Sequence, residues 1–404
     1  MRVGIVGAGI TGLTAAYKLS QKGHQVIIFE KEKYIGGLAA GFKKEDWDWH
    51  LENFFHHFFT SDQALVNLAT ELGLSKKIFF RRPISSIFYR GKISQFDSPL
   101  SVLRFPHLTL EQKLRVGLVT TYLKATNSAF GGWRGFEKIT AREWLKKFYG
   151  QRAFEVLWQP LLKAKFGNEA DKVSMAWFWA RIKKRSTKLG YIEGGFQTLI
   201  DKLVEKIKEN GGEVVLNHKI TSYNDIYQCS NFDRAIFTTP LKSKEFKWVG
   251  ALNLILVLKE SFLADGTYWL NINEPDFPFV AIVEHTNFVD KRHYDGNHIL
   301  YVGGYYPQNH RYFTLSKEEV LKTFLPFLQK INPRFGEFSI FNCQFSKNLY
   351  AQPIIPINYS QIIPSMKTDN PRLFRANMQM VYPWDRGVNY AIELGEKVAN
   401  EVSK

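Results

Sequence analysis

The chain has 404 residues, a formal net charge of +16, 45% hydrophobic residues and 23% charged residues. This composition is typical of a soluble globular protein with two or three domains and an ample core. The chain lacks an eighteen-residue apolar run for a membrane-spanning helix, and Cys229 and Cys343 are too few for a disulfide framework or a zinc site, so we expect a cytoplasmic protein without a metal.

A glycine loop lies between two strand-like runs at the start of the chain. Residues 2–6 are apolar and β-branched, residues 13–22 have helical apolar spacing, and residues 25–29 form a second run that ends at Glu30. This order of elements predicts a dinucleotide-binding unit, with the acid on a ribose hydroxyl and the first helical N–H groups on the phosphates. The alternative is a glycine-rich turn that binds nothing. The predicted contacts of the loop are Gly7, Gly9, Ile10, Thr11 and Gly12.

A glycine doublet follows the second strand and indicates which dinucleotide is bound. The segment from Lys31 to Leu38 contains Gly36 and Gly37. It resembles the family of FAD-dependent amine oxidases, protoporphyrinogen oxidases and carotenoid desaturases, in which this stretch wraps the FAD diphosphate. The resemblance implies FAD in preference to NAD. The residues that it places on the cofactor are Lys31, Gly36, Gly37 and Leu38.

Two adjacent histidines, His56 and His57, lie among four phenylalanines in residues 51–60. An imidazole in an apolar place can have its pKa moved across neutrality and can act as acid, base or hydrogen-bond donor. The stretch also resembles the His-x-Phe-x-Thr segment of UDP-galactopyranose mutases, which places a histidine beside the flavin and favours His56. In the alternative, one histidine caps a backbone carbonyl and the other is solvated.

The next segments are a helix and a hairpin. Ser61 or Asp62 begins a predicted helix that runs to about Leu72, and residues 78–96 alternate around Arg90-Gly91 as in a β-hairpin. Arg81 and Arg82 are interpreted either as a clamp for an anionic substrate or as ordinary exposed strand residues.

Residues 110–185 have a helical pattern in which Leu110, Leu114, Leu118 and Tyr122 share one face. Residues 138–188 contain thirteen Lys or Arg and four Asp or Glu, so about +9 of the net charge lies here. Basic residues beside exposed aromatics can bind a helical region to a membrane surface. Tryptophans that face the core, with a solvated basic surface on the other side, explain the pattern equally well. The tryptophans concerned are Trp144, Trp158, Trp177 and Trp179.

Residues 190–199 resemble the second glycine doublet of the same family, before a helix that ends at Gly211-Gly212. A strand over 213–216 follows, and the resemblance implies that backbone atoms of Ile220 hold the adenine. Residues 233–240 are the predicted returning strand of the dinucleotide domain.

From residue 251 the chain is rich in strands, with one helix predicted over 317–330 and a strand over 338–345. By resemblance this is the substrate domain. A polar and aromatic wall for a ring-shaped substrate is predicted from Trp269, Asn271, Asn273, Glu284, His285, Asn287, Tyr301, Tyr305 and Tyr306. In the alternative, most of these residues face solvent or the core.

The C-terminal segment resembles the last FAD segment of the family, in which a helix N-terminus points at the flavin N1/O2 edge. A strand over 373–377 ends at Asn377, and Gly387 and Val388 begin a helix through Ala399. A positive helix dipole there stabilises the charge on reduced flavin. Arg386 departs from the common small-residue loop and is predicted to hold a substrate anion or the FAD diphosphate.

These features predict an α/β fold with a discontinuous Rossmann-type FAD-binding domain, a mixed-sheet substrate domain and a helical insertion. We expect the FAD-binding domain over 1–75, 189–248 and 366–404, the substrate domain over 76–108 and 249–365, and the helical insertion over 109–188.

The predicted function is that of a protoporphyrinogen oxidase-like, FAD-dependent oxidoreductase, with His56, His57 and Arg386 as catalytic residues. A mutase-like flavoenzyme for a nucleotide sugar and a flavoprotein with only a binding role are the alternatives. The basic charge favours an anionic small-molecule substrate or a peripheral contact with anionic lipid over nucleic acid, since no nucleic-acid motif was found. The oligomeric state is left open.

Overall fold

The structure is a computed structural model and describes residues 1–126, 132–337 and 340–404. Its strands are β1 (Arg2–Val6), β2 (Gln25–Phe29), β3 (Gly41–Phe42), β4 (Leu51–Glu52), β5 (Phe58–Phe59), β6 (Ile78–Arg81), β7 (Ile84–Tyr89), β8 (Lys92–Gln95), β9 (Leu189–Ile192), β10 (Glu213–Val215), β11 (Arg234–Phe237), β12 (Trp248–Leu258), β13 (Thr267–Ile272), β14 (Ala281–Glu284), β15 (His298–Pro307), β16 (Ile340–Pro353) and β17 (Leu373–Arg375). Its α-helices are α1 (Ile10–Ser20), α2 (Gln63–Glu71), α3 (Pro99–Arg104), α4 (Leu110–Ala125), α5 (Gly132–Glu137), α6 (Ala141–Tyr149), α7 (Gln151–Ala153), α8 (Gln159–Phe166), α9 (Met175–Lys184), α10 (Gln197–Glu209), α11 (Tyr223–Cys229), α12 (Lys317–Ile331) and α13 (Val388–Val402).

A parallel sheet with the strand order β10-β2-β1-β11-β17 forms the dinucleotide-binding part. Because all five strands run the same way, the loops after β1, β2, β11 and β17 meet at one edge. Helix α13 packs closely on α1, since an added Cβ at Gly395 would lie 2.7 Å from the Thr11 carbonyl oxygen. The sequence-distant start and end of the chain therefore share one structural unit.

A second sheet has the order β16-β12-β15-β14-β13-β7-β8 and is antiparallel except between β13 and β7. Its interior strand β12 is buried along its whole length, and Val320, Phe324 and Leu328 of α12 pack against the sheet. The predicted α/β fold class, with parallel and mixed sheets, is confirmed. The exact domain ranges stay a prediction. Of the predicted strand over 338–345, residues 338 and 339 lie outside the described residues.

The predicted hairpin over 78–96 is correct only in its second part. Strands β7 and β8 pair across the turn at Arg90-Gly91, where Arg90 has φ 52° and Gly91 has φ 72°. Strand β6 instead pairs with β9 in a separate three-stranded sheet with β5. Alternation predicts an extended chain but not its partner, which in this case comes from more than a hundred residues away.

The helical insertion holds its own aromatic core. Trp144, Trp177 and Trp179 are at most 6% exposed, so core packing, and not an exposed aromatic surface, explains these tryptophans. Trp158 is half-buried. The Thr140 side chain accepts from the Glu143 backbone N–H in the predicted capping box. Among the described residues, each helix is too short or too polar to cross a lipid bilayer.

Helix α4 is apolar on two opposite sides. Val116 and Leu123 are buried toward the insertion. On the other side lie the four residues that were predicted to share a face, and they are between 55% and 73% exposed. The exposed stripe of α4 consists of Leu110, Leu114, Leu118 and Tyr122.

Candidate FAD and substrate site

The glycine loop after β1 is held in the tight geometry that its sequence predicts. Gly7 has φ +105°, and an added Cβ there would lie 2.6 Å from Thr238 Oγ1. At Gly12 an added Cβ would lie only 2.0 Å from the Gly7 carbonyl oxygen, so α1 packs directly on the turn. A Cβ added at Gly9 would instead meet nothing within 4 Å. The open space at Gly9 fits the predicted approach of a pyrophosphate to the backbone.

The second glycine pair lies directly on this loop. The Gly36 N–H donates to the Ala8 carbonyl at 2.8 Å, and an added Cβ at Gly37 would lie 3.3 Å from the Cα of Gly9. Gly36 and Gly37 have φ +105° and +59°, which glycine adopts without a steric penalty. The two glycine motifs, separated in sequence, thus form one surface.

Glu30 is buried at the end of β2 and forms hydrogen bonds with the backbone of the glycine loop and of its own segment. Its carboxylate accepts hydrogen bonds from the backbone N–H of Ala8 at 2.8 Å and of Glu32 at 3.0 Å. The segment with Ile220 runs beside it, because the His218 N–H donates to the Glu30 carbonyl at 2.8 Å. The structure therefore brings the predicted ribose and adenine positions together. The contacts themselves stay predictions.

Lys31 and Leu38 lie at the two ends of the same segment. The Lys31 side chain is 63% exposed and pairs with Glu32 at 3.1 Å. Leu38 is half-buried beside the Gly36-Gly37 pair. The contacts of both residues with the cofactor stay predictions.

The N-termini of α1 and α13 offer backbone N–H groups without a side-chain cap. Gly9 precedes α1 and Gly387 precedes α13, and neither helix has a capping side chain. Asn377, which follows β17, is 3% exposed and its Oδ1 has no hydrogen-bond partner among the described residues. Free N–H groups and an unpartnered buried amide are the donors and acceptors that a dinucleotide would satisfy. The residues present thus fit the predicted FAD.

The paired histidines are half-buried, and their hydrogen bonds define their state. His56 Nδ1 lies 2.6 Å from the Phe54 carbonyl oxygen, so Nδ1 donates and Nε2 keeps its lone pair. Burial lowers the pKa of His56 to about 4, and nearby Arg386 adds to the shift. Burial also lowers the pKa of His57 to about 3, and its Nδ1 contacts the Tyr268 hydroxyl at 3.3 Å. Both rings are neutral at pH 7.

Arg386 lies near His56 and is bound by neutral groups of the second sheet. Its Nε donates to Gln352 Oε1 at 3.1 Å, and its Nη2 donates to the Tyr305 hydroxyl. Gln352 belongs to the Tyr350–Pro353 stretch at the end of β16, which resembles the family element that returns to the flavin. Arg386 is thus near enough to His56 to lower its pKa, and His57 is the next residue in the chain. The catalytic roles of all three stay predictions.

Sequence reasoning missed the carboxylate beside Arg386. Asp385 accepts hydrogen bonds from Lys165 Nζ at 3.1 Å, Arg181 Nη1 at 2.7 Å and Trp177 Nε1 at 3.0 Å. Burial alone would raise the pKa of Asp385, but the surrounding cations hold it well below its ordinary value. Burial lowers the pKa of Lys165 to about 7, and Asp385 opposes that shift. The basic content of the insertion was the one available signal, since more than 200 residues separate these partners.

Most of the predicted substrate wall is structural. Glu284 is fully buried and accepts from the Phe262 and Leu263 N–H groups, and Tyr306 donates to the Pro278 carbonyl at 2.6 Å. His285 is 2% exposed and bonds Tyr294 at 2.8 Å. Their polar groups are used in hydrogen bonds within the protein, which favours the alternative in which these residues face the core, whereas Tyr305 does face Arg386. Asn273 and Tyr301 are buried and donate hydrogen bonds to backbone carbonyls. Trp269, Asn271 and Asn287 are half-buried, and each forms a hydrogen bond to a side chain or to a backbone carbonyl.

Arg81 is the last residue of β6, and Arg82 follows it. Arg81 is exposed and donates to the Phe288 carbonyl at 2.9 Å, and Arg82 is exposed as well. The interpretation as ordinary exposed strand residues is therefore the better one.

A parallel sheet, a doubled glycine surface and an acid at its edge define the class of this molecule as a dinucleotide-binding protein of the flavoprotein type. The chain belongs to the flavin containing amine oxidoreductase family, whose family model matches residues 10–403. The family confirms the predicted FAD cofactor and the predicted kind of protein, an FAD-dependent oxidoreductase.

Comparison with individual proteins gives more distant matches. The chain is 27% identical over 244 residues to a 15-cis-phytoene desaturase of Synechococcus elongatus. The matched region covers 55% of this chain and 51% of the desaturase. It thus spans about half the length of the curated relatives it matches.

Among solved structures, a protein proposed to be a protoporphyrinogen oxidase, from Exiguobacterium sp. 255-15, has a TM-score of 0.76 at 16% identity and covers 99% of this chain and 98% of its own. A reduced UDP-galactopyranose mutase has a TM-score of 0.74 at 14% identity, and the match covers 100% of this chain and 95% of the mutase. At these identities the likeness concerns the fold alone.

Proposed function

We propose that this protein is an FAD-dependent oxidoreductase of the protoporphyrinogen oxidase type, which removes a hydride from a carbon atom of a small organic substrate. The observation that carries the proposal is that His56, Arg386 and the uncapped N-terminus of α13 lie together, on a chain whose family contains flavin. The N-terminus of α13 is suited to negative charge because its dipole is positive there.

The bound FAD would accept the hydride, and O2 or another acceptor would take the two electrons in turn. The protein's own groups then orient the substrate and handle the proton that leaves with the hydride. His56 is neutral with a free Nε2 lone pair, so it can accept a hydrogen bond or a proton at that atom. Arg386 supplies a fixed positive charge beside it.

A mutase-like activity on a nucleotide sugar is the second candidate. The observation in its favour is the group of Lys165, Arg181 and Arg386 near the paired histidines, because a sugar diphosphate would need such cations. In that reaction the flavin stays reduced and no net electron transfer takes place.

An anaerobic titration of the visible spectrum separates the candidates. Oxidised holoprotein is mixed with protoporphyrinogen or coproporphyrinogen, and dithionite-reduced holoprotein is mixed with UDP-galactose. Bleaching of the flavin bands with the appearance of porphyrin supports the oxidase. Isomerisation of the sugar while the flavin stays reduced supports the mutase. A purified protein that neither contains nor rebinds FAD would contradict both.

The exposed stripe of α4 supports a peripheral contact of this protein with an anionic lipid surface. Arg115 connects α4 to α6, because its guanidinium donates hydrogen bonds to the Phe148 and Lys147 carbonyls at 2.7 and 2.8 Å. Lys146, Lys147 and Phe148 are themselves exposed. Leucines flanked by basic side chains match the apolar and anionic layers of a membrane interface.

A further inference from the structure

Two cations, Lys165 and Arg181, converge on the Asp385 carboxylate where the helical insertion meets the rest of the protein, and a third, Arg386, is the next residue in the chain. Lys165 belongs to α8 and Arg181 to α9, while Asp385 and Arg386 precede α13. Their side chains are shielded, with exposed fractions of 7% for Lys165, 28% for Arg181 and 18% for Asp385. Trp177 is 1% exposed and closes one side of the cluster.

The charges of this cluster do not balance. Within the described ranges, Asp385 is the one carboxylate within 4 Å of Lys165 or Arg181. Arg386 points its guanidinium at the neutral groups Gln352 and Tyr305. Shielded charge is costly unless it is paired, so a cluster with an excess of positive charge favours a ligand that is an anion.

The position of the cluster favours the substrate over the cofactor phosphates as this anion. The free backbone N–H groups at the Gly9 loop already provide a phosphate site on the parallel sheet. The cluster instead lies between the insertion and the second sheet, where Lys165 and Arg386 both contact the Tyr305 ring, with Nζ at 5.4 Å and Cζ at 5.4 Å from its centroid.

We infer that Lys165, Arg181 and Arg386 form a binding site for an oxyanion of the substrate, a carboxylate or a phosphate, with Asp385 as the positioning residue that holds the cations together. This inference rests on the proposed oxidoreductase function. It sets the substrate apart from a hydrocarbon such as phytoene, which appears in the names of the desaturase relatives and has no charged group for these cations.

The experiment measures oxyanion binding to the oxidised holoprotein by isothermal titration calorimetry and by the shift of the flavin bands. The probes are acetate, inorganic phosphate and pyrophosphate, with sodium chloride at matched ionic strength as the reference. The first probe reports carboxylate recognition and the other two report phosphate recognition. We expect saturable binding of at least one of the three to the wild type.

The variants are Arg181→Gln, Arg386→Gln and Lys165→Met, and the matched control is Arg142→Gln. Arg142 lies in the same insertion and pairs with Asp171 at an exposed site. We expect the Kd of the bound oxyanion to rise at least tenfold in each cluster variant and to stay unchanged in the control. Arg181 is more exposed than Lys165, so Arg181→Gln tests the site even where Lys165→Met does not fold.

FAD content, measured from the ratio of flavin to protein absorbance, separates two kinds of failure. A holoprotein that keeps FAD but binds none of the oxyanions would overturn the inference and leave the proposed function standing. Cluster variants that lose FAD at unchanged oxyanion affinity would assign the cations to the cofactor and overturn the inference as well. A wild type without FAD would contradict the proposed function itself.

Discussion

The ammonium group of Lys165 lies 3.1 Å from the carboxylate of Asp385, and the two residues are 220 positions apart in the chain. This ion pair joins the helical insertion to the segment that leads into α13. Removal of the Asp385 carboxylate should strongly destabilise the protein, because the shielded Lys165 ammonium would be left without an ion-pair partner. The insertion and the C-terminal segment are therefore coupled at the place where substrate and cofactor are proposed to meet.

The two glycines of the first loop are expected to respond differently to the same substitution. Gly12→Ala places a Cβ 2.0 Å from the Gly7 carbonyl oxygen, so the free energy of unfolding of the FAD-free protein should fall by about 1–3 kcal/mol. Gly9→Ala meets nothing within 4 Å, so the FAD-free protein should keep its stability and lose FAD affinity. Urea unfolding and FAD titration measure the two effects. Unchanged FAD affinity in Gly9→Ala would show that no phosphate approaches that residue.

Glu52 makes the stability depend on pH. It is fully buried, accepts from Tyr191 Oη at 2.6 Å and the Phe196 N–H at 2.7 Å, and burial raises its pKa from 4.5 to about 7. The folded state holds a proton that the unfolded state releases, so this residue costs stability as pH rises from about 4.5 to 7. The stability of Glu52→Gln relative to wild type should rise over that range by at most about 1.4 kcal/mol per pH unit.

Urea unfolding at pH 5, 6, 7 and 8 measures this difference. Glu205→Gln is the control, since Lys202 lowers the pKa of that exposed carboxylate, which is therefore ionised in both the folded and the unfolded state from pH 5 to 8. The stability of Glu205→Gln relative to wild type should be flat over this range. A relative stability of Glu52→Gln that is flat with pH would contradict the raised pKa.

His56 is expected to act as a neutral imidazole. Replacing it by Asn should lower turnover by roughly a hundredfold, a size typical of a lost acid or base, while FAD remains bound. Because the pKa of His56 is about 4, the wild-type rate between pH 6 and 8 should show no inflection that belongs to this residue. Rates of both proteins across that range, with His24→Asn as a control far from the site, test the role. An inflection near pH 7 that disappears in His56→Asn would contradict it.

The stripe on α4 is expected to bind anionic lipid. Leu114→Glu with Leu118→Glu removes two exposed leucines and adds two negative charges, so binding to vesicles of equal phosphatidylglycerol and phosphatidylcholine should fall at least about tenfold. Phe341→Glu, at a position 57% exposed on β16, should bind like the wild type. Cosedimentation measures the bound fraction.

Two results would contradict the lipid contact. One is equal binding of the wild type and the double variant to these vesicles, and the other is a wild type that does not bind them. Self-association of the wild type that is lost in the double variant would show that a second copy of the chain covers the stripe.

The glycine loop of the proposed cofactor site could be predicted almost entirely from the order of the first forty residues. Strand, glycine turn, helix, strand and acid follow each other within one βαβ unit, and the close contact of Gly12 with the Gly7 carbonyl is local. The contact that restricts Gly7, by contrast, comes from the distant Thr238. Capping chemistry is equally local, so the start of α6 at Thr140 could be predicted to the residue.

Contacts between distant segments could not be predicted in this way. Strand β6 pairs with β9 and not with β7, its neighbour in the chain, and several predicted wall residues bond to carbonyl groups of other segments. A period of two or of 3.6 residues tells which side chains share a face, but the same pattern fits a core and a solvent-facing stripe, as the two apolar sides of α4 show.

The cation cluster is the clearest case. The sequence already showed that the insertion is basic and that Arg386 is unusual, because charge and local motif can be read from residue order. Which of the thirteen Lys or Arg of residues 138–188 reaches Asp385 depends on how the insertion docks on the two sheets. That docking is the sum of many apolar contacts between elements far apart in the chain, and residue order does not encode it locally.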